Sequence, residues 1–409
     1  MKVLWLCNMV LNDFAEVYGI KKKPFGGWMD GLLRALEPDD DIDIVLCFPI
    51  FDENRMKTGI HNGHRFFSFH GDFDKCKYDN GLELEFECIL KEYNPDIIHI
   101  WGTEYNHSRA MVEISNKLGI ADKVIVHIQG LVSYYALHYC NGVPEKYLDM
   151  KSESNLSIRE QQNDFFLRGD NERRALQNVH NVMGRTKWDY ICTKLINPQL
   201  KYYHCDEMLR MEFYCNINTW SYDKCKPHRI FISQGSYSIK GLHFFLQAMK
   251  IIEIQYPDVE VHIGGVSPIL PNKAGGISGY GQFIIDLLAE LKRPQSIKFL
   301  GLLTVDEMIR EYKEANVFVS PSLIENSSNS IQEASLIGTP IVASNVGGSS
   351  QFLGTNDVLY SVDEWYIMAG EICSLFAKKS RVMEFEKVKS IDKRKQIIKT
   401  IKGIYESIS

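Results

Sequence analysis

The chain has 409 residues, of which 45% are hydrophobic and 24% charged, and its formal net charge is −6. That length has room for two α/β domains with large buried cores, and the charge argues against a general nucleic-acid binder. The ten cysteines are scattered, with no C-x2-C pair, so we expect reduced thiols in a cytoplasmic protein and no zinc site. No apolar run reaches the roughly 18 residues that a membrane-spanning helix needs.

Apolar runs separated by helix-patterned stretches predict a doubly wound parallel sheet in the first half of the chain. We interpret the first run as a strand and not as a signal peptide, because it is short and is broken by Asn8. Residues 131–176 are predicted to be helical, and they line an acceptor site, touch a membrane surface or form an extra packing layer. The predicted strands cover residues 3–7, 42–48, 97–101, 123–128 and 181–186, the last of these being the final strand of the domain.

A polar connection after the first strand ends in a glycine pair. Lys21-Lys22-Lys23 is followed by Pro24-Phe25-Gly26-Gly27 and then by a helix. A glycine pair at such a junction lets a ligand approach the backbone, although an ordinary tight turn has the same composition. The lysines belong either to a solvated loop or to a contact with anionic lipid or a diphosphate-linked acceptor. Asp41-Ile42-Asp43 fits a D-x-D metal motif, but it precedes a strand, so we interpret it as a charged turn and expect no metal.

The second half of the chain repeats the alternation of strands and helices. Lys240 and Gly241 open an amphipathic helix that is predicted at residues 242–252. Because the helix dipole disfavours a cation at this end, Lys240 indicates a ligand-related role, and the alternative is a solvent-facing lysine. A hinge is predicted at 226–228, and the strands are predicted at 230–233, 259–265, 297–303, 317–319 and 341–344.

Residues 316–350 gather polar side chains at the ends of two of these strands. Glu325 lies in a small polar loop that closes into a helix containing Glu333. Ligands of open α/β sheets sit at the carboxyl ends of the strands, and helix N-termini there favour phosphate. Carboxylates in such a place suit uncharged hydroxyls, those of a sugar for Glu325 and of a ribose for Glu333. Alternatively, Ser330 and Glu333 form a helix capping box, and Glu325 is a solvated loop acid.

This stretch also carries a family resemblance. Glu325 and Glu333 are separated by seven residues and are followed by Gly338, Pro340 and a strand that ends in Gly347-Gly348. The pattern resembles the signature of the retaining glycosyltransferases of family 4, which have the GT-B architecture. The resemblance implies an α/β fold of two doubly wound Rossmann-like domains that face a central cleft.

The resemblance also implies a division of the chain. Residues 1–225 are expected to form the N-terminal, acceptor-side domain, and residues 226–381 the C-terminal domain that binds the nucleotide sugar. A C-terminal helix, from about 382 to 409, is expected to pack back on the first domain.

Site residues follow from the resemblance, position by position. Lys240 is expected to grip the donor diphosphate, but Gly235 stands where the family has the arginine of this charge clamp. Gln129 stands where a catalytic histidine is usual, with His127 two residues earlier. Arg185 is a candidate phosphate or acceptor contact. The implied catalytic residues are Glu325, Lys240 and Gln129, and the implied donor-binding residues are Gly27, Gly235, Lys240, Leu302, Glu325, Ser328, Asn329, Ser330 and Glu333.

The implied function is transfer of a hexosyl or N-acetylhexosaminyl group from a nucleotide sugar, with UDP as the preferred nucleotide. The acceptor is a hydroxyl of a glycan or lipid-linked substrate, the anomeric configuration is retained, and neither a metal nor another cofactor takes part. We expect a role in polysaccharide biosynthesis in the cytoplasm, with peripheral contact at the inner face of a membrane and no nucleic-acid partner. The alternatives are a nucleotide-sugar epimerase of the same architecture and a non-catalytic, two-lobed sugar-binding protein.

Overall fold

The structure is a computed structural model that describes residues 1–22, 27–37, 41–71, 76–152, 156–273, 275–354, 357–378 and 390–409. The chain forms two compact units and passes from one to the other four times. Unit 1 contains residues 1–134, 164–210 and 391–409, and unit 2 contains residues 135–163 and 211–390.

Strands and helices alternate along most of the chain. The α-helices are α1 (Gly27–Leu36), α2 (Gly81–Tyr93), α3 (Asn106–Lys117), α4 (Val132–Tyr135), α5 (Glu145–Leu148), α6 (Ile158–Asn178), α7 (Lys187–Ile196), α8 (Met211–Tyr214), α9 (Leu242–Gln255), α10 (Gly279–Ala289), α11 (Val305–Glu314), α12 (Asn329–Ile337), α13 (Trp365–Phe376) and α14 (Ser390–Ile408). The strands of unit 1 are β1 (Lys2–Leu6), β2 (Asp43–Ile50), β3 (Gly59–His61), β4 (His64–His70), β5 (Ile97–Trp101), β6 (Val124–His127), β7 (Asn181–Gly184) and β8 (Lys201–His204). The strands of unit 2 are β9 (Arg229–Ile232), β10 (Glu260–Gly264), β11 (Ile297–Gly301), β12 (Val317–Ser320), β13 (Ile341–Ser344) and β14 (Val358–Tyr360).

Unit 1 is built on an eight-stranded sheet in the order β3-β4-β2-β1-β5-β6-β7-β8. All neighbouring strands are parallel except β3 and β4. The central strands are buried on both faces, which explains why they are continuous apolar runs. Successive side chains of β1 enter opposite cores, Leu4 with helices α2 and α3 and Trp5 with helices α1 and α14.

Helix α14 completes the second of these cores. Its apolar stripe, Ile397, Ile401, Ile404 and Tyr405, is buried in unit 1. These positions recur at helical spacing, so one face of the helix covers the sheet while the other carries lysines.

Unit 2 is built on a six-stranded, fully parallel sheet in the order β11-β10-β9-β12-β13-β14. The chain moves outward in one direction from β9 to β11 and then returns to the other side of β9 with β12. A topological switch point therefore lies between the carboxyl ends of β9 and β12, where α/β sheets bind their ligands.

The structure differs from the expected organisation of the chain in three places. Residues 181–184 do not form the last strand of the first domain, because β8 follows them as the sheet edge. Residues 211–225 belong to unit 2 and not to the first domain, since Trp220 Nε1 donates to the Ala315 carbonyl at 2.7 Å and the Asn218 N–H donates to the Leu336 carbonyl at 2.8 Å. Residues 135–163 also belong to unit 2.

Candidate functional site

A polar pocket of about 210 Å³ lies at the switch point of unit 2. One wall is formed by residues at and after the end of β9, and another by residues at and after the end of β12. The first turn of α12 supplies the rest. The lining residues are Ile232, Ser233, Gln234, Lys240, Val319, Ser320, Pro321, Ser322, Glu325, Ser327, Ser328, Asn329 and Ser330.

A glycine brings Lys240 to this pocket. The loop after β9 makes a 3-10 turn at Ser238–Lys240 and reverses at Gly241, whose φ is +69°. A Cβ at Gly241 would lie 1.8 Å from the carbonyl oxygen of Pro321, so only glycine allows this close approach. The contact fixes the Lys240 loop against the end of β12 before α9 begins.

Lys240 and Glu325 form an ion pair in the pocket. Lys240 Nζ donates to Glu325 Oε1 at 2.6 Å, and Ser322 Oγ donates to the same oxygen at 2.8 Å. The side chains of Lys240 and Glu325 are only 18% and 12% exposed. Burial works to lower the pKa of Lys240, but the carboxylate of Glu325, with a smaller effect of Tyr237, outweighs it and raises that pKa above its usual value. The pocket therefore holds the positive charge of Lys240 next to the carboxylate of Glu325, which accepts hydrogen bonds from hydroxyl groups.

The N-terminus of α12 faces the same space. Ser328 is the N-cap, because its side chain accepts a hydrogen bond from the N–H of Ile331. Asn329 and Ser330 form the first turn, whose backbone N–H groups carry the positive end of the helix dipole. Asn329 Oδ1 is buried and has no hydrogen-bond partner within the described part of the chain. The alternative interpretation of Ser330 and Glu333 as a capping box is wrong, because the N-cap of α12 is Ser328, two residues earlier.

Glu333 lies one turn further along α12 and does not line the 210 Å³ pocket. Its side chain is buried, and its Oε2 accepts a hydrogen bond from Tyr312 Oη at 3.2 Å. The same hydroxyl is 3.2 Å from the Ser330 carbonyl. Tyr312 on α11 therefore holds the beginning of α12 and the carboxylate of Glu333 together, and the ribose role of Glu333 stays a prediction.

Gly235, which stands where the family has an arginine, is closely packed. A Cβ there would lie 2.9 Å from Leu242 Cδ2 and 3.3 Å from Ile263 Cγ2, so the backbone is packed against apolar side chains. The next residue upstream, Gln234, is exposed and lines the pocket. Leu302 follows β11 and is 56% exposed, and it is not among the pocket-lining residues.

Two of the predicted site residues belong to unit 1. Gly27 is the first residue of α1, and Lys23 to Gly26 lie outside the described residues. Gln129 follows β6, and its Oε1 accepts a hydrogen bond from Arg185 Nη2 at 2.8 Å. Arg185 is also paired with Glu207 at 2.8 Å, and both side chains are almost fully buried. The guanidinium of Arg185 is thus neutralised inside unit 1.

His127 belongs to a buried chain of hydrogen bonds. Trp5 Nε1 donates to Tyr405 Oη at 3.1 Å, Tyr405 lies 2.6 Å from His99 Nδ1, and His99 Nε2 lies 3.2 Å from His127 Nδ1. Burial lowers the pKa of His99 to about 3 and that of His127 well below its ordinary value, with a smaller contribution from Arg185. Both rings are therefore neutral at pH 7. Because the indole is only a donor, the Tyr405 oxygen accepts from Trp5 Nε1.

Two residues that contact the carboxylates of Glu325 and Glu333, Ser322 and Tyr312, were not predicted from the sequence. Ser322 follows Ser320 and Pro321, which indicated only the end of a strand. Tyr312 lies in an amphipathic helix pattern and has no signal that distinguishes it from a core residue. Within the described ranges, no cluster of three or more histidines, cysteines, aspartates and glutamates is placed to hold a metal ion. None of the described helices combines the length and apolar character needed to cross a membrane.

Residues 226–378, most of unit 2, match the family model described as "Glycosyl transferases group 1". D-inositol 3-phosphate glycosyltransferase from Corynebacterium urealyticum is 32% identical over 114 residues, which are 27% of this chain and 25% of that protein. The chain spans about a quarter of the length of the curated relatives that it matches.

Solved structures align over the whole chain. Sucrose-phosphate synthase from Thermosynechococcus elongatus covers 100% of this chain and 96% of its own, with a TM-score of 0.65 and 13% identity. The alignment with HepE from Anabaena, solved in complex with UDP-glucose, covers 100% of this chain and 95% of HepE, with a TM-score of 0.58 and 15% identity. The predicted fold class is confirmed: the chain has the GT-B fold with two Rossmann-like parallel sheets. The match to group 1 supports a glycosyltransferase.

Proposed function

We propose that the protein transfers a glycosyl group from a nucleotide diphosphate sugar to an acceptor hydroxyl, with retention at the anomeric carbon. The observation that carries this proposal is the pocket of unit 2, where Lys240, Glu325 and the N-terminus of α12 converge at the switch point of the sheet. The pocket lies in the part of the chain that matches glycosyltransferases.

Each group has a role in the proposed reaction. Negative charge builds on the diphosphate as the glycosidic bond breaks, so a fixed cation and oriented N–H groups lower the barrier. Lys240 and the first turn of α12 supply these without a metal. Glu325 accepts hydrogen bonds from the sugar hydroxyls, and Glu333 binds the ribose. In the unliganded pocket Lys240 and Glu325 neutralise each other, and a bound donor replaces this pair with one partner for each charge.

UDP is the proposed nucleotide, and HepE, which shares the fold, has been solved with UDP-glucose. The proposed acceptor is a glycan or lipid-linked hydroxyl in polysaccharide biosynthesis, as the family resemblance implies. Gly27 of unit 1 is proposed to contact the donor, and Gln129 is proposed to act as a catalytic residue, as the family resemblance implies. We place the activity in the cytoplasm, at the inner face of a membrane, and the ten free cysteines are consistent with a reducing compartment.

A thermal-shift panel of UDP-, GDP- and ADP-sugars tests the donor, and turnover with and without EDTA tests metal independence. Glu325→Gln should abolish transfer while largely sparing nucleotide binding, because the amide cannot replace both acceptor oxygens. The matched control is Glu290→Gln, which removes an exposed surface pair with Lys250. Unchanged turnover of Glu325→Gln would refute the role of this carboxylate. Product formed without acceptor identifies an epimerase, and donor binding without release of nucleotide identifies a binding protein.

A further inference from the structure

Residues 135–163 belong to unit 2 although they precede its sheet in the chain. They are anchored on α9 and α10. Tyr147 Oη donates to Asp286 and its ring stacks on Phe283 with centroids 4.9 Å apart. His243 Nε2 lies 3.0 Å from the carbonyl oxygen of Asn141. We call residues 135–141 the arm, because this part continues from these anchors to the loops of the pocket.

The arm contacts both pocket loops. Ser238 Oγ donates to the Tyr139 carbonyl at 2.5 Å, and Ser238 lies two residues before Lys240. The N–H of Asn326 donates to Tyr135 Oη at 2.9 Å, and Asn326 directly follows Glu325. One short segment therefore holds the loops that carry the cation and the carboxylate of the pocket.

The contact with Tyr135 fixes one peptide group completely. The carbonyl of Glu325 accepts a hydrogen bond from the N–H of Gly348 at 3.0 Å, and the N–H of the same peptide group donates to Tyr135. Asn326 is fully buried, so no water replaces a lost partner. The loop around Gly347 packs closely on the other side, where a Cβ would lie 1.9 Å from the Glu325 carbonyl oxygen. With both polar atoms held, the plane of this peptide group, which is attached to the Cα of Glu325, is fixed.

We propose that Tyr135 is a positioning residue for the donor sugar: its hydroxyl orients the 325–326 peptide group and thereby aims the Glu325 carboxylate. The proposal rests on the proposed function for its ligand, a nucleotide sugar. Tyr135 should affect binding of only one part of that ligand. It acts through Glu325, which is proposed to bind the sugar, and not through Lys240 or α12, which are proposed to bind the diphosphate.

The test is Tyr135→Phe in the full chain, with Tyr147→Phe as the matched control in the same segment but away from the pocket loops. The dissociation constants of UDP and of the UDP-sugar that most stabilises the wild type are measured by calorimetry. Tyr135→Phe should weaken binding of the UDP-sugar about tenfold and leave that of UDP unchanged, and Tyr147→Phe should change neither. Equal losses for both ligands, or no loss in a folded Tyr135→Phe protein, would overturn the proposal.

Hydrogen exchange of the unliganded protein separates this result from a failure of the proposed function. The backbone N–H of Asn326 should exchange at least about tenfold faster in Tyr135→Phe than in Tyr147→Phe, because only the first variant lacks its hydrogen-bond acceptor. If the wild type binds none of the nucleotide sugars, the proposed function fails, and the exchange rate alone then decides whether Tyr135 orients the peptide group. An unchanged rate overturns the positioning role in either case.

Discussion

Replacing Tyr405 with phenylalanine removes one oxygen atom from a fully buried polar cluster of unit 1. Trp5, His99 and Tyr405 are all fully buried, and the hydroxyl is the hydrogen-bond partner of both other side chains. The variant leaves the indole N–H and the His99 Nδ1 without this partner. An unsatisfied buried polar group costs roughly 1–3 kcal/mol, so the two together should lower the free energy of unfolding by about 2–6 kcal/mol.

Urea unfolding, followed by fluorescence and by circular dichroism, measures this loss as a lower midpoint. The matched control is Tyr190→Phe, the same chemical change on a side chain that is 42% exposed, which should stay within about 0.5 kcal/mol of the wild type. Equal midpoints for the two variants would show that the hydroxyl of Tyr405 contributes nothing, and the described hydrogen-bond chain would then be refuted.

Three further predictions concern charge and backbone. Burial raises the pKa of Glu172 from 4.5 to about 7, so the protonated side chain stabilises the fold fully below pH 4.5, and this contribution is lost as the pH rises through 7. The free energy of unfolding of the wild type should therefore fall by about 3 kcal/mol more than that of Glu172→Gln between pH 4 and 8, as measured by urea unfolding at each pH. The same pH dependence in both proteins would contradict this prediction. Lys240→Met should weaken UDP binding at least about tenfold by calorimetry, because it removes the cation of the pocket, and equal affinity would exclude a diphosphate contact. Gly241→Ala should lower the melting temperature, because the φ of Gly241 is +69° and a Cβ there would lie 1.8 Å from the Pro321 carbonyl oxygen. The control is Gly370→Ala in α13, where a Cβ would have no atom within 4 Å beyond its chain neighbours and the backbone of its own helix, and this variant should not lower the melting temperature.

The interior of both sheets was predictable because parallel strands that are buried on both faces are continuous apolar runs. Residues 97–101 were predicted as a strand and form β5 with the same bounds. Four strands at a sheet edge or next to one were not predicted, namely β3, β4, β8 and β14, whereas the edge strand β11 was. β8 has the sequence KYYH and is partly exposed along its length, and β4, HRFFSFH, mixes polar and aromatic residues. Strands at an edge need no apolar run, so periodicity does not distinguish them from loops.

The candidate site was predictable as a set of residue types, and its internal contacts were not. The spacing of Glu325 and Glu333 and the position of Lys240 before a helix indicated a ligand site, and the structure brings Lys240 and Glu325 together. Their direct ion pair depends on how two loops, separated by 85 residues, pack on each other. The assignment of residues 135–163 to unit 2 depends in the same way on tertiary contacts such as that between Tyr135 and Asn326.

The bond between Trp5 and Tyr405 joins residues 400 positions apart, and this fixes an order of events during synthesis. All of unit 2 leaves the ribosome before residues 391–409, which unit 1 needs to close its core. The later unit of the sequence can therefore mature first, in contrast to the usual N-terminal-first order. Until α14 has been synthesised, the indole of Trp5 and the imidazole of His99 in the nascent first unit lack the hydroxyl that joins them.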